Sequence, residues 1–311
     1  QDGACNCDGD ILDDCGICDG PGPTIECSDG TFACGSLDCN DIVDSELEFI
    51  FSDEMLVYPQ ENINQDSPEI ISTDDGTIHL VWINNAGNGK NVMYAFSSDE
   101  GETFSEPIQI NQTSNSIITF NDAGPKIKVR DNELFIFYTD MRTGMMAIYM
   151  NHSTDNGLTW GEDILISDQS YMQKFPDLEV DQSGELHLVY YAYGEDYLFH
   201  SVRYATAESN SISFSPSVAM GIVNGTQVPC ECCQTDLEIT ANNDVYFSFR
   251  NNINNIRDHY IAIKNHDSIN FDNLIQVSTY EDYIEGCPNS GPSLAIDNNN
   301  IALSYNNAGC I

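Results

Sequence analysis

Basic residues are scarce in this sequence. Only 10 of its 311 residues are lysine or arginine, against 50 aspartates and glutamates, and the formal net charge at pH 7 is −40. A polyanion of this kind repels nucleic-acid phosphates and anionic lipid headgroups, so we expect neither as a partner. The surplus carboxylates suit a solvated surface, and clusters of their oxygen atoms would also suit Ca²⁺ as a bound ion.

Long apolar runs are absent as well. No stretch approaches the roughly 18 residues that a membrane-spanning helix requires, so we expect no membrane span. The chain begins at Gln1 rather than at a methionine, as a secreted protein does after its signal peptide is removed. We therefore expect a secreted or cell-surface protein.

Histidine is missing from the first 78 residues, whereas cysteine is dense there. Seven of the 12 cysteines lie within the first 39 residues: Cys5, Cys7, Cys15, Cys18, Cys27, Cys34 and Cys39. Many cysteines in a short segment with few large apolar residues usually replace a hydrophobic core with disulfides. We predict a cysteine-rich, disulfide-stapled module over residues 1–46.

Short β-type runs recur from residue 47 onward. Each is rich in β-branched or aromatic residues and follows a polar turn; they cover residues 77–83, 133–139, 185–191, 244–250 and 300–306. A second element precedes each run, as in Ser67-Pro-Glu-Ile70 and Phe175-Pro-Asp-Leu178, with its second position at residue 68, 125, 176, 235 or 292. The successive differences, 57, 51, 59 and 57 residues, indicate one four-stranded blade per repeat. We predict an all-β fold, with a β-propeller over residues 47–311.

Two loops share the pattern S-x-D-x-G-x-T-[F/W]. Their defining residues are Ser97, Asp99, Gly101 and Phe104 in the first loop, and Ser153, Asp155, Gly157 and Trp160 in the second. The pattern predicts a turn in which the aspartate accepts from backbone N–H groups, the glycine takes a positive φ and the aromatic ring packs beneath the hairpin.

These loops resemble the Asp boxes of the sialidase superfamily. The resemblance implies a six-bladed propeller, with the boxes on its outer rim and away from the central axis. Because the sequence contains four whole repeats and the start of a fifth, we expect it to be part of a longer propeller that continues beyond Ile311.

The same resemblance allows sialidase chemistry to be checked residue by residue. Sialidases hold the substrate carboxylate with three arginines, whose planar forks match its geometry, and cleave with a tyrosine that a glutamate activates. Asp66 stands at the position that the resemblance implies for the first arginine, and Gln234 at that of the glutamate, although glutamine cannot take a proton. Arg250 remains as one clamp residue. We expect no ordinary sialidase activity.

Five further cysteines, Cys230, Cys232, Cys233, Cys287 and Cys310, lie within the predicted propeller. The CxCC run and the Gly-Cys-Pro…Gly-Pro loop resemble those of a secreted bacterial subgroup of sialidase-like propellers, in which such loops line the mouth of the axial channel. Two alternatives stay open. The cysteines form disulfides that pin the loops, or they supply thiolates to Cu or Zn, which soft sulfur ligands suit.

We expect the propeller to bind a glycan or a cell-surface protein at its axial face, because loops from several blades converge there on one concavity. The candidate contacts are Arg250, Arg257, Gln234, Asn84 and Asn85. The alternatives are a glycoside hydrolase or lyase that acts on acidic glycans with rearranged catalytic residues, and a Cu- or Zn-binding protein that uses the cysteines.

Overall fold

A computed structural model describes residues 13, 15, 17, 21–26, 32–34, 56–59, 61, 63–120, 123–167, 170–194, 200–220, 229–268, 270–271, 273–278, 281, 283–297 and 300–306. Most of the predicted 1–46 module, the segment 47–51 and Cys310 lie outside the described residues. The chain divides into two compact units, one of residues 1–55 with 308–311 and the other of residues 56–307.

The described part of the first unit is a small disulfide-linked hairpin. Strand β1 (Ile25–Glu26) pairs antiparallel with β2 (Phe32–Ala33). A disulfide joins Cys15 to Cys34. Disulfide formation, which the cysteine density predicts, is confirmed for this pair.

The second unit consists of antiparallel sheets, each formed by strands that follow one another along the chain. Blade I contains β3 (Asn64–Ser72), β4 (Ile78–Asn85), β5 (Lys90–Ser97) and β6 (Ile108–Gln109); blade II contains β7 (Lys126–Arg130), β8 (Glu133–Asp140), β9 (Ala147–Ser153) and β10 (Ile164–Leu165). Blade III contains β11 (Met172–Val180), β12 (Leu186–Tyr193), β13 (His200–Ala207) and β14 (Val218–Met220). Blade IV contains β15 (Asp236–Ile239), β16 (Val245–Arg250), β17 (His259–Lys264) and β18 (Asn273–Gln276); blade V contains β19 (Ser293–Asp297) and β20 (Asn300–Ser304).

The first strands of consecutive blades contact one another, β3 with β7, β7 with β11, β11 with β15 and β15 with β19. This radial arrangement is that of a β-propeller, so the predicted fold is confirmed. The described residues contain no helix, and therefore none long and apolar enough to cross a membrane.

The second strands of blades II and III are buried because each contributes to more than one core. Side chains alternate between the two faces of a strand. In β8, Leu134, Ile136 and Tyr138 pack between blades I and II, whereas Phe135 and Phe137 pack between blades II and III. In β12, Val189 likewise packs against blade IV. A strand covered on both faces reads as a continuous apolar run, which explains why these runs stand out in the sequence.

The blades share one polarity, which defines two ends of this unit. In blade I, Ile78 pairs with Ser97 and Asn85 pairs with Lys90. The turn between the first two strands therefore lies at the same end as the loop after the third strand, and we name this end the base. The loop between the second and third strands lies at the opposite end, which we name the mouth.

Candidate functional site

The two S-x-D-x-G-x-T loops lie at the base and adopt the same turn. Asp99 Oδ1 accepts from the Thr103 backbone N–H at 2.9 Å, and Asp155 Oδ1 accepts from that of Thr159 at 2.8 Å. Gly101 and Gly157 have φ values of 87° and 82°. Phe104 is half-buried, and Trp160 meets the Tyr94 ring edge-on, with the ring centroids 4.9 Å apart. These residues shape the base and lie away from the mouth.

Arg250 lies at the mouth, where it ends β16, and its side chain is buried. Its Nε and Nη2 atoms donate to His259 Nε2 at 3.0 and 2.7 Å, and Nη2 also donates to the carbonyl of Asn306. Burial and the neighbouring guanidinium lower the pKa of His259 to about 4, so its imidazole is neutral at pH 7 and can accept. Arg250, the predicted clamp residue, thus donates to acceptors within the protein itself.

Arg257 is buried in the neighbouring loop and pairs with Glu231. Its Nη1 and Nη2 atoms donate to the two carboxylate oxygens of Glu231 at 3.3 and 3.2 Å, which is the bidentate geometry that a guanidinium favours. Although burial acts in the opposite direction, hydrogen bonds to the Glu231 carboxylate, including those from Arg257, lower its pKa. Glu231 is therefore ionised at neutral pH.

The cysteines beside these arginines form disulfides. One joins Cys230 to Cys233, and another joins Cys232 to Cys287 across 55 residues of chain. Of the two alternatives for these cysteines, the structure contains the disulfides. The second bridge ties the loop before β15 to the loop before β19, both at the mouth.

The other predicted contact residues are partly separated from this group. Gln234 lies before β15, and a Cβ atom at Gly291 would meet its carbonyl oxygen at 2.1 Å, so the two loops pack closely. Asn84 and Asn85 belong to blade I instead. Asn84 Oδ1 accepts from Trp82 Nε1 at 2.8 Å, and Asn85 Oδ1 accepts from the Gly87 N–H at 2.9 Å. Asp66, also in blade I, lies 4.0 Å from Lys90 Nζ.

A cavity of about 530 Å³ opens at the mouth beside the Arg257–Glu231 pair. It is lined by Phe120, Lys174, Tyr191, Tyr193, His200, Pro229, Glu231 and Asn252. None of these residues is among the contacts predicted from the sequence. They come from the chain before blade II, from blade III and from the chain around blade IV, so the cavity exists only once these parts have packed together.

Lys174 lies within a cage of aromatic rings. Its Nζ is 4.7 to 5.3 Å from the ring centroids of Phe120, Phe175, Tyr191 and Tyr193. Burial lowers its pKa to about 8, although Glu231 acts in the opposite direction. The rings stabilise the ammonium through their electron-rich faces but accept no conventional hydrogen bond from it.

Lys174 is unusual among the few cations of this chain. Six of the ten lysines and arginines form ion pairs with carboxylates, and Arg203 and Arg250 donate hydrogen bonds to uncharged groups. Among the described residues, only Lys174 and Lys264 form neither kind of contact. A polyanionic protein thus contains a cation that forms no ion pair with any described carboxylate, at the edge of an open cavity that Glu231 also lines.

A β-bulge aims Lys174 into this position. The pairing of β11 with β12 shifts between Lys174 and Asp177, and Phe175 within the shift has a φ of 56°. Positive φ is uncommon for a residue with a bulky side chain, and bulges commonly redirect side chains beside functional sites. The Ser67-Pro68 step in β3 contains the same feature, with Ser67 at φ 53°.

Tyr191 and His200 add an acid–base pair to the cavity wall. The Tyr191 hydroxyl is hydrogen-bonded to His200 Nδ1. Burial raises the pKa of Tyr191, so its phenol stays protonated at neutral pH. The cavity thus combines one cation, one carboxylate, an imidazole, two phenols and the amide of Asn252.

Comparisons with known proteins bear on the fold. No protein-family model matches the sequence, and no curated protein matches it either. Among solved structures, a protein of unknown function from Dyadobacter fermentans aligns at 17% identity with a TM-score of 0.59, covering 82% of this chain and 75% of the other. The GH93 α-L-arabinofuranosidase of Fusarium graminearum in complex with arabinobiose aligns at 16% identity and a TM-score of 0.56, covering 79% and 77%.

A Hadza microbial sialidase aligns at 17% identity with a TM-score of 0.52, covering 79% of this chain and 51% of the sialidase. Identities this low carry information about architecture rather than chemistry. The comparisons therefore place this chain in the same β-propeller architecture as an arabinofuranosidase and a sialidase.

Proposed function

We propose that the propeller binds a glycan in the mouth cavity and that Lys174 receives an acidic group of the sugar. The observation that carries this proposal is the ammonium of Lys174, which lies among four aromatic rings without an ion pair or hydrogen bond to any described residue. A charge that is desolvated and forms no ion pair with a described carboxylate, in a chain of net charge −40, suits an anion from outside.

The rest of the cavity suits sugar hydroxyls. Glu231 offers carboxylate acceptors, and its side chain is 43% exposed although Arg257 holds it. Asn252 lies next to it and donates from Nδ2 to Glu231 Oε2 at 3.1 Å. Concave sites with apolar walls and a few placed polar groups are the usual form of small-ligand sites. The arabinofuranosidase of the same architecture was solved with arabinobiose bound, which supports a sugar as the ligand class.

The net charge restricts the choice of glycan. A densely sulfated or uniformly uronic polymer would be repelled over the length of the molecule, whereas one carboxylate at Lys174 lies within the short distance over which salt does not screen the attraction. We therefore propose a mixed glycan, with neutral sugars and an occasional uronic acid.

Calorimetric titration of the full chain with neutral arabino-oligosaccharides and with oligosaccharides that contain one uronic acid tests this proposal. Lys174→Met keeps the length of the side chain but removes its charge, and we expect at least about a tenfold loss of affinity for the acidic ligand. Lys264→Met is the matched control, because Lys264 also lacks an ion pair but ends β17 at the base. Absence of binding to both glycan classes, with capture of a surface protein instead, would overturn the proposal.

A second candidate function is elimination on the same acidic glycan. The observation that favours it is the Tyr191–His200 hydrogen bond beside Lys174. Lys174 would pair with the uronate carboxylate, His200 would take the proton from the carbon next to that carboxylate, and the glycosidic C–O bond would break as Tyr191 protonates the leaving oxygen. The product then carries a C=C bond, which absorbs ultraviolet light.

Ultraviolet absorbance during incubation with the uronate oligosaccharide separates the two functions. Binding without any rise in absorbance leaves the protein a non-catalytic binder. If absorbance rises, His200→Gln should abolish the rise while binding persists. A rise that His200→Gln does not change would overturn this assignment.

We also propose that the protein works outside the cell, at the cell surface or free, with its base turns as Asp boxes of the sialidase type. The disulfides Cys15–Cys34, Cys230–Cys233 and Cys232–Cys287 support this, because such bonds persist in oxidising compartments. Alkylation of free thiols in the natural protein before extraction should leave all six of these cysteines unlabelled. Labelling of Cys232 and Cys287 would argue for a reducing compartment.

A further inference from the structure

Three metal-ligating side chains meet at the base of blade III, far along β12 from the mouth. Asp181 and Glu185 lie in the turn between β11 and β12, and His187 follows in β12. One carboxylate oxygen from each acid and one ring nitrogen of the histidine all lie within 4.8 Å of one another. The sequence pattern is D-x₃-E-x-H.

The imidazole of His187 has one nitrogen in a hydrogen bond, whereas the other has none within the described part of the chain. Only 4% of the residue is exposed. Nδ1 is hydrogen-bonded to the Tyr204 hydroxyl at 2.6 Å, whereas Nε2 is a buried atom without a hydrogen-bond partner among the described residues. Nε2 faces Asp181 Oδ2 at 3.5 Å. In a metal-binding histidine the second nitrogen is usually hydrogen-bonded to a fixed group that orients the ring, as Nδ1 is to Tyr204 here.

Hydrogen bonds to one carboxylate oxygen of Asp181 orient the other oxygen toward His187. Asp181 Oδ1 accepts from the backbone N–H groups of Ser183 at 2.8 Å and Glu185 at 2.9 Å, and this leaves Oδ2 directed at the imidazole.

Blade I contains the same histidine–tyrosine pair without the carboxylates. His79 Nδ1 is hydrogen-bonded to the Tyr94 hydroxyl at 2.8 Å, as His187 is to Tyr204 in blade III. The positions of Asp181 and Glu185 are occupied in blade I by Thr73 and Thr77, and Thr73 Oγ1 lies 3.4 Å from His79 Nε2. The buried histidine of blade I is thus accommodated with hydroxyls at both of these positions, so packing alone does not account for two carboxylates at the same positions around His187.

We propose that Asp181, Glu185 and His187 form a binding site for a divalent transition-metal ion of the Zn²⁺ type. Tetrahedral zinc ligands at about 2.0–2.2 Å from the ion lie about 3.3–3.6 Å apart, and His187 Nε2 and Asp181 Oδ2 are separated by 3.5 Å. An imidazole ligand selects against Ca²⁺ and Mg²⁺, which take oxygen ligands. The bound ion would fix the β11–β12 turn to β13 through Tyr204.

The full chain with its disulfides intact is the protein to test, after removal of metals with a chelator and after a thiol assay has shown no free cysteine. Calorimetric titration with ZnCl₂ and elemental analysis after dialysis should both give one zinc per chain. Glu185→Gln should weaken zinc binding at least about tenfold, because one anionic ligand is lost. Asp75→Asn, a change of an acidic residue in the corresponding turn of blade I, should leave the affinity within twofold.

A gain of binding in blade I provides a second test that does not depend on damaging blade III. The double substitution Thr73→Asp with Thr77→Glu places both carboxylates beside His79 and should raise the stoichiometry from one zinc to two. Co²⁺ in place of Zn²⁺ should give the visible absorption of a tetrahedral site in the wild-type chain, and Glu185→Gln should remove it. Less than half an equivalent of zinc in the wild-type chain, unchanged affinity in Glu185→Gln or a preference for Ca²⁺ would each overturn the proposal.

Discussion

The base and the mouth of this propeller differ in how far the blades resemble one another. At the base, blades I and II share a turn with the same hydrogen bonds, and blades I and III share a histidine–tyrosine pair. At the mouth the blades have different contacts: Asn84 with Trp82 in blade I, Arg142 between Asp140 and Asp163 in blade II, and Arg250 with His259 in blade IV. Repetition marks residues that build the scaffold, and departure from it marks candidates for function.

Removal of the Cys232–Cys287 disulfide at the mouth is expected to have the largest effect on stability. We expect the double substitution Cys232→Ser with Cys287→Ser to lower the free energy of unfolding by about 4 kcal/mol, because the bridge closes a loop of 55 residues. Urea denaturation of the oxidised proteins measures the loss. Unchanged stability would contradict this expectation and would show that other contacts hold the loops at the mouth.

Arg250 gives the next largest expected effect. Arg250→Ala removes donors from His259 and from the carbonyl of Asn306, both beside a buried side chain, and should cost about 3 kcal/mol. Arg203→Ala is the control, since Arg203 is only half-buried and donates to Ser217; about 1 kcal/mol is expected there. Weaker glycan binding by Arg250→Ala with unchanged stability would instead favour the predicted role as a ligand clamp.

The two base turns offer a matched pair that sharpens the comparison within the scaffold. Gly157→Ala combines a φ of 82° with a Cβ atom 1.9 Å from Tyr94 Oη, and about 3 kcal/mol of destabilisation is expected. Gly101→Ala has the same backbone conformation, but its Cβ atom would lie 3.5 Å from Ile78 Cδ1, so the cost should be about 1 kcal/mol. Thermal unfolding of both variants tests the difference, and equal losses would show that backbone strain alone decides it.

The smallest expected effect concerns the inner strands. Asp177 Oδ2 accepts from the Leu237 N–H at 2.9 Å, and Asp236 Oδ2 accepts from the Leu294 N–H at 2.5 Å, so each aspartate links its blade to the next. Burial, followed by the nearby Asp177 carboxylate, raises the pKa of Asp236 above its ordinary 3.8. The folded state therefore holds this proton more tightly than the unfolded state does.

A raised carboxyl pKa gives stability that is fully present below pH 3.8 and is lost as the pH rises through the folded-state pKa. Asp236→Asn cannot ionise but still accepts from Leu294, so its stability should fall less than that of the wild type between mildly acidic and alkaline pH. Denaturation at a series of pH values measures both slopes. Parallel slopes would mean that Asp236 is already ionised in the folded protein at low pH.

The fold could be predicted because its signal is repeated. The proline-containing elements at residues 67–70 and 175–178 lie within β3 and β11, and the apolar runs that follow them became β4 and β12. A strand that is covered on both faces must be apolar at nearly every position, and such a pattern is legible without knowledge of the partner strands.

The site could be predicted only in part. Sequence reasoning placed Arg250, Arg257 and the cysteines at one end, but it did not find the cage around Lys174. That cage depends on a bulge at Phe175 and on rings from separate strands, and neither has a local signature. The Asp181–Glu185–His187 pattern was visible in the sequence, yet with 50 acidic residues such spacings are expected by chance. Only the orientation of the His187 ring gives the pattern weight.

Tyr94 connects two blades in a way that bears on how the molecule opens. Its hydroxyl holds His79 within blade I, while its ring supports Trp160 and its Oη borders Gly157, both in blade II. Neither blade can separate from the other without exposing this ring and losing its packing against Trp160 and Gly157. Amide protons in the centres of β4 and β8 should therefore exchange with solvent through one shared cooperative event rather than through independent local fluctuations.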